Sequence, residues 1–337
     1  MAMTETFKGE AVKAYLKKFP KTAHLTLAKK IHKETGLVFD SVEQARELIR
    51  YYTGNIGKAN RQKLADRRFM RTETVQSTNN EYGIPESDAL EYHPFIIPKA
   101  QNRILVVPDA HIPYHCVNTM TATINWGKEH GVNTVLMLGD WLDMHELSYF
   151  MKDPNAKRWK EEREVFWRVL DVWQNAFSDA VFYYVMANHE RRFENYLMTH
   201  APVVYDTEEH RLDINLRLGE RSIIAIMDKL VVKAGKLSLI HGDEYKGGSV
   251  NLVSPARWLY NKTGGNAASG HFHKTSDYSK PNIDDDLLGC FSIGCQCNLH
   301  PAWLPKNEWN NGFARVVVNP DGTFKMFNAR IDKGKVL

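Results

Sequence analysis

The stretch TVLMLGDWLD, residues 134–143, sets a short run of β-branched and apolar residues against an abrupt polar stop at Gly139-Asp140. A run that is apolar at nearly every position, and this short, is expected of a strand buried on both faces. Three other segments repeat the plan: ILVVPD (104–109), AVFYYVMAN (180–188) and LSLIHGD (237–243). Ahead of AVFYYVMAN lies WKEEREVFWRVLDVWQNAF (159–177), in which Val165, Phe166, Val169, Leu170 and Trp173 recur at helical spacing. Buried strands alternating with amphipathic helix predict a layered α/β fold. Each strand run closes on a polar residue, Asp109, Asp140, Asn188 or His241. In open α/β sheets ligands gather at the carboxyl ends of strands, so four such ends in succession predict a site.

Following the polar ends outward gives PDAHIP with Asp109 and His111, GDWLD with Asp140 and Asp143, ANHE with Asn188, His189 and Glu190, HGD with His241, and GHFH with His271 and His273. The two histidines of GHFH stand at alternate positions, which an extended segment would point to one side. Carboxylate, amide and imidazole donors with no thiolate suit Mn²⁺, Fe or Zn²⁺ better than a soft ion. Seven of these as ligands (Asp109, His111, Asp140, Asn188, His241, His271 and His273) oversupply one ion and suit two, and a carboxylate such as Asp140 can bridge ions about 3.5–4 Å apart.

In order and spacing, the pattern D-x-H, G-D-x-x-D, N-H-[DE], H and G-H-x-H between residues 109 and 273 resembles the calcineurin-like metallophosphoesterases. The resemblance covers roughly residues 103–330. It implies a four-layer α/β/β/α sandwich, over residues 101–337, holding two divalent metal ions, Mn²⁺ foremost with Fe, Zn²⁺ and Ni²⁺ as alternatives. Carried over by position, Asp109, His111 and His273 would hold one ion, Asn188, His241 and His271 the other, and Asp140 would bridge. A hydroxide shared by the ions would attack the phosphorus. His189 would protonate the leaving oxygen, with Asp143 bonding its imidazole and holding it protonated. Arg191 and Arg192 become candidates to bind phosphate, helix-surface arginines being the plainer alternative. Two departures stand out: Ala187 replaces the family glycine before Asn-His, and GDWLD continues MHE rather than the Arg-Gly of the serine/threonine protein phosphatases. Trp309 and Phe313 are expected near the rim of the site, and FARVVVN and TFKMFNARI around PDG predict a C-terminal hairpin.

Residues 1–72 read differently. HLTLAKKIHKETG places Leu25, Leu27, Ala28 and Ile31 on one stripe and stops at Gly36; DSVEQARELIRYYTG starts on Asp40 or Ser41, aligns Val42, Ala45, Leu48 and Ile49, and ends at Gly54. Two short helices about a glycine-containing turn resemble a helix-turn-helix. Residues 1–75 carry 16 Lys and Arg against 8 Asp and Glu, whereas the remainder carries 28 against 32. Arg46, Arg50, Lys58, Arg61, Lys63, Arg67, Arg68 and Arg71 could contact phosphates of DNA or RNA. Residues 73–100 have linker composition. The helical module and the loop NHERRFENYL also resemble phosphoesterases of bacteriophages and their hosts.

The chain, 337 residues with a net charge of +4, shows no secretion signal and no apolar run of membrane-spanning length. Its four cysteines, Cys116, Cys290, Cys295 and Cys297, fit neither a disulfide framework nor zinc spacing and are expected to pack as small hydrophobes. A cytoplasmic setting without membrane partners follows. The expected activity is hydrolysis of a phosphodiester in nucleic acid. A phosphomonoesterase or cyclic-nucleotide phosphodiesterase, with the helices holding a partner or only packing, is the alternative, and a DNA-binding protein on an inactive esterase fold is a third reading.

Overall fold

The structure is a computed structural model that describes residues 7–20, 22–35, 38–53, 80–82, 84–85, 92–205, 207–227, 229–245 and 253–337. It divides into two compact units, residues 1–93 with 219–224, and residues 94–218 with 225–337.

The first unit holds three helices, α1 (Phe7–Lys18), α2 (His24–Glu34) and α3 (Val42–Tyr52). Their core is Val12 and Leu16 from α1, Leu27, Ala28 and Ile31 from α2, Ala45 and Ile49 from α3, and Phe39 from the connection. Ser41 caps α3, its hydroxyl accepting the Gln44 amide proton at 3.2 Å, which satisfies one of the unpaired donors of a first turn. Leu25, expected on the inner stripe, is 43% exposed, because the buried stripe of α2 runs through 27, 28 and 31. Gly36 and Gly54, expected as helix stops, and Lys58, Arg61, Lys63, Arg67, Arg68 and Arg71 lie outside the described residues; a threonine, Thr35 or Thr53, follows the last turn of each helix.

Residues 94–218 and 223–337 build two sheets flanked by helices. The seven-stranded sheet has the order β13-β12-β11-β2-β3-β4-β5, with β2 (Arg103–Val107), β3 (Thr134–Met137), β4 (Val181–Val185), β5 (Ile223–Ile226), β11 (Asn311–Val318), β12 (Phe324–Asp332) and β13 (Lys335–Val336). The six-stranded sheet has the order β1-β6-β7-β8-β10-β9, with β1 (Phe95–Ile96), β6 (Val232–Ala234), β7 (Leu237–Ile240), β8 (Ala267–Ser269), β9 (Ser276–Pro281) and β10 (Leu287–Ser292). β1 falls within the stretch read from composition as linker and pairs with β6. The expected hairpin is β11–β12, and through β11 it completes the first sheet beside β2.

Helix α4 (Val117–Glu129) packs on the seven-stranded sheet and against α5 (Trp159–Ala176), while α8 (Pro255–Thr263) covers the six-stranded one. Between them the chain forms α6 (Arg191–His200) and the single turn α7 (Leu212–Asn215). Across the sandwich Asn328 Nδ2 donates to the Ser292 carbonyl at 2.9 Å. Among the described residues no helix is long and apolar enough to cross a membrane.

Register places the site. β2, β3 and β4 run parallel with Val107 opposite Met137 and Met137 opposite Tyr184. β7 and β8 run parallel with Ile240 opposite Ser269. The loops that follow these five strands therefore leave the two sheets in register, which is where ligands gather.

Candidate metal centre

The five loops converge. His111 Nε2 lies 3.1 Å from His273 Nε2, and Asp109 Oδ1 lies 3.4 Å from His273 Nε2, 4.0 Å from His111 Nε2 and 3.9 Å from His241 Nε2. Asp140 Oδ2 stands 3.1 Å from His241 Nε2 and 3.8 Å from His189 Nε2. Asp109, His111 and His273 form one set whose donor atoms lie within 4.8 Å of each other; Asp140, His241 and His271 form a second, and His111, Asp140 and His189 a third. These clustered histidine and aspartate groups could hold metal.

The donors have the chemistry a cation needs. Asp109 Oδ1, Asn188 Oδ1 and His241 Nε2 are buried and make no hydrogen bond, a costly arrangement for each unless a partner reaches it. His241 is fixed by Nδ1–H, which donates to the Leu138 carbonyl at 2.8 Å and turns Nε2 toward the cluster, the orientation an imidazole ligand requires. Burial alone would lower His241, but the Asp140 carboxylate beside it overrides that and raises it to about 10. Burial likewise opposes ionisation of Asp140, yet His241 holds that carboxylate well below its usual range.

The backbone is shaped for the same end. Asp109, His111, Asp140, His271 and His273 all adopt positive φ, between 47° and 68°, a region few non-glycine residues enter and one concentrated at functional sites. His271 and His273 reach one region through two left-handed residues around buried Phe272, and not through strand alternation. Gly270 lets the loop pass Asp109: a Cβ there would lie 2.7 Å from Asp109 Oδ2 and 2.6 Å from Pro108 Cβ. Gly139, at φ 86°, makes the room that Ala187 fills, since its own Cβ would lie 2.4 Å from the Ala187 methyl.

Two glutamates, one fully buried and one half-buried, clamp these loops, and their role was not read from the sequence. Glu190, 0% exposed, accepts the amide protons of Asp140 (3.1 Å), Trp141 (2.9 Å), Leu142 (3.3 Å) and Ala187 (3.0 Å) and the Tyr184 hydroxyl (2.8 Å). Glu244 does the same for His241 (2.9 Å) and Gly242 (2.7 Å). Charge-assisted bonds of this kind are the strong ones. The available signal was an acidic residue directly after Asn-His and another three after His241. Cys297 was also missed: its thiol lies 3.9 Å from His273 Nδ1, and His273, Cys295 and Cys297 form a further cluster of donors.

His189 differs from its expectation. Its Nδ1–H donates to the Asp143 carbonyl at 2.8 Å, while the Asp143 carboxylate lies 3.6 Å from His189 Nδ1 and 3.4 Å from His111 Nδ1. Its Nε2 accepts from Arg192 Nη2 at 2.9 Å, and burial lowers it to about 3, so it rests neutral rather than protonated. Arg192 also donates to the Asp143 carbonyl at 2.6 Å. Arg191 instead pairs with Asp243. Trp309 stands beside His273 at 4.3 Å between ring centroids, whereas Phe313, expected at the rim, is 0% exposed and packs on Trp126.

No protein-family model and no curated protein matches the chain. Among solved structures it is similar to Vacuolar Protein Sorting 29 from Cryptosporidium parvum, at 14% identity and TM-score 0.39, over 70% of this chain and 94% of that one. It is similar also to Yfce, a phosphoesterase from E. coli (13%, TM-score 0.32, covering 67% and 98%), and to a dimetal phosphatase from Danio rerio (11%, TM-score 0.32, covering 65% and 93%). These are likenesses at low identity and low superposition score, and the chemistry of the centre rests on its own side chains.

Proposed function

We propose that the chain is a metal-dependent phosphoester hydrolase of the calcineurin-like kind that cleaves phosphodiesters in DNA or RNA. The observation that carries this reading is the convergence of Asp109, His111, Asp140, His241, His271 and His273, with Asp109 Oδ1 and His241 Nε2 unsatisfied 3.9 Å apart and Asn188 Oδ1, also buried and unsatisfied, on the loop that follows β4. Two divalent cations held there, Mn²⁺ foremost, would lower the pKa of water and polarise a phosphoryl oxygen. Asp109, His111 and His273 would hold one ion and Asn188, His241 and His271 the other, with Asp140, which groups with His241 and His271 and also with His111, shared between them.

The remaining residues handle the substrate. Arg192, resting on His189 Nε2, would turn to a phosphoryl oxygen beside His189, and shifting to that oxygen frees Nε2. An anion arriving beside a neutral, buried imidazole raises its pKa, so His189 can then take a proton and pass it to the leaving alkoxide. The Asp143 carbonyl keeps the ring oriented through Nδ1. The basic three-helix unit would bring nucleic acid to the centre, with α2–α3 acting as a helix-turn-helix.

The test compares a bis-aryl phosphodiester with the matching aryl monoester on metal-free protein reloaded with Mn²⁺, alongside metal content. A preference for the diester is expected, with about two ions per chain. Asp140→Asn is expected to lose at least one ion, and His189→Ala to keep both while turnover falls roughly 10²–10⁴-fold. A monoester preference overturns the diesterase reading, and two ions retained in Asp140→Asn overturn the ligand assignment.

A further inference from the structure

Two groups of aromatic side chains reach the centre through different residues. On one side Trp309 stands edge-on to His273 at 4.3 Å, and Trp303 lies 5.7 Å further out, 74% exposed. On the other, the guanidinium of Arg192, bonded to His189, lies over the Phe150 ring at 5.9 Å, and Tyr149 packs on Phe150 at 4.2 Å. Tyr149 is 90% exposed and Phe150 51%. His111 sits between, its ring 4.9 Å from His273 and 4.5 Å from His189. The loop that carries Tyr149 and Phe150 continues through Lys152, Lys157 and Arg158, all exposed. Trp303, Tyr149 and Phe150 each keep more than half of their surface in water, and the two groups meet the centre at His273 and at Arg192.

We propose that Trp303–Trp309 and Tyr149–Phe150 are base-stacking subsites on the two sides of the scissile phosphate, and that the substrate is an unpaired polynucleotide strand. The proposal rests on the phosphodiesterase reading above and adds the form of the nucleic acid. Exposed rings interleaved with cations are how proteins hold single strands, because every base has a π face and every linkage a charge. A duplex offers neither face, its bases being paired and stacked on one another. Stacking on both sides would also set the phosphate between the rings, where Arg192 and the metal ligands converge.

The test uses the full-length protein, with Trp303→Ala and Phe150→Ala as variants. Binding of a fluorescein-labelled oligothymidylate and of an abasic strand of equal length is followed by anisotropy on metal-free protein, where no cleavage occurs. The wild type is expected to favour the base-bearing strand by roughly tenfold or more, and each variant to lose about five- to a hundredfold on it while changing less than about twofold on the abasic strand. After Mn²⁺ is restored, the variants should raise KM for oligothymidylate more than KM for the abasic strand. Equal binding of both strands by the wild type, equal losses on both in the variants, or a preference for duplex overturns the stacking subsites while diester hydrolysis stands. Loaded protein that cleaves neither strand and no aryl diester overturns them together with the reading on which they rest.

Discussion

Glu162 stands on the inner face of α5, 1% exposed, in line with buried Phe166, Leu170 and Trp173. An apolar residue is expected at such a position; the carboxylate is there because its Oε1 accepts the Met144 amide proton at 2.8 Å, closing the loop that carries Asp140 and Asp143. Burial raises the carboxyl to about 8, from an ordinary 4.5. The folded protein thus binds this proton more tightly than the unfolded chain does. The resulting stability is fully present below pH 4.5 and is lost as pH rises through about 8, with a slope of at most about 1.4 kcal/mol per pH unit. Glu162→Gln keeps an acceptor oxygen for Met144 and removes the titration. Urea midpoints of the metal-free variant should therefore fall less between pH 5 and pH 8 than those of the wild type, by up to that slope. Parallel profiles would mean that Glu162 does not carry the dependence.

At the scale of elements, the strands that end at the centre were legible because each is an apolar run with a polar stop, and burial on both faces writes itself into composition. β3, β4 and β7 fall inside their expected segments, and β2 starts one residue ahead of its own, at Arg103. The second sheet was not legible as such. β1 has two residues, β8 has three, and β9 reads SDYSKP with most positions exposed, so neither length nor alternation marks them. The donors of the centre could be named from their order, but their geometry could not. Left-handed backbone at Asp109, Asp140 and His273 and the clamp from Glu190 to Asp140 depend on contacts between segments far apart in the chain. Gly270 tests how tightly such contacts bind. A Cβ there would press on Pro108 and on the Asp109 oxygen that accepts the His271 amide proton at 2.9 Å, and both neighbours are fixed in the same loop. Gly270→Ala is expected to cost about 1–3 kcal/mol of stability, the usual range for overpacking, and to lower metal content, read from thermal unfolding and from metal analysis of the purified protein. Unchanged values for both would mean that the loop yields without disturbing Asp109.

The whole molecule divides its charge unevenly: the surplus of basic residues lies in the first 75 and a slight acidic excess in the rest. That asymmetry has a proposed use, since a basic helical unit can hold the phosphates of a nucleic acid whose linkage enters the centre in the other unit. On α3 the core side is Ala45 and Ile49, and Arg46 and Arg50, next to them in sequence, keep part of their surface in water. Arg46 lies 3.3 Å from Glu43, with 39% and 57% of the two side chains exposed, and a pair that open contributes little to stability. Neutralising Arg46 and Arg50 together to Gln should therefore leave the fold intact and alter only what the helix offers to phosphate. If both contact nucleic acid, the logarithm of the binding constant should fall less steeply with the logarithm of salt. The change in slope is about 0.9 per contact on duplex DNA and about 0.7 on a single strand, while kcat/KM for a small aryl diester stays at the wild-type value. The size of that change also reports which form of nucleic acid α3 holds. An unaltered slope would separate the helical unit from substrate binding and leave its basic charge to a partner of another kind.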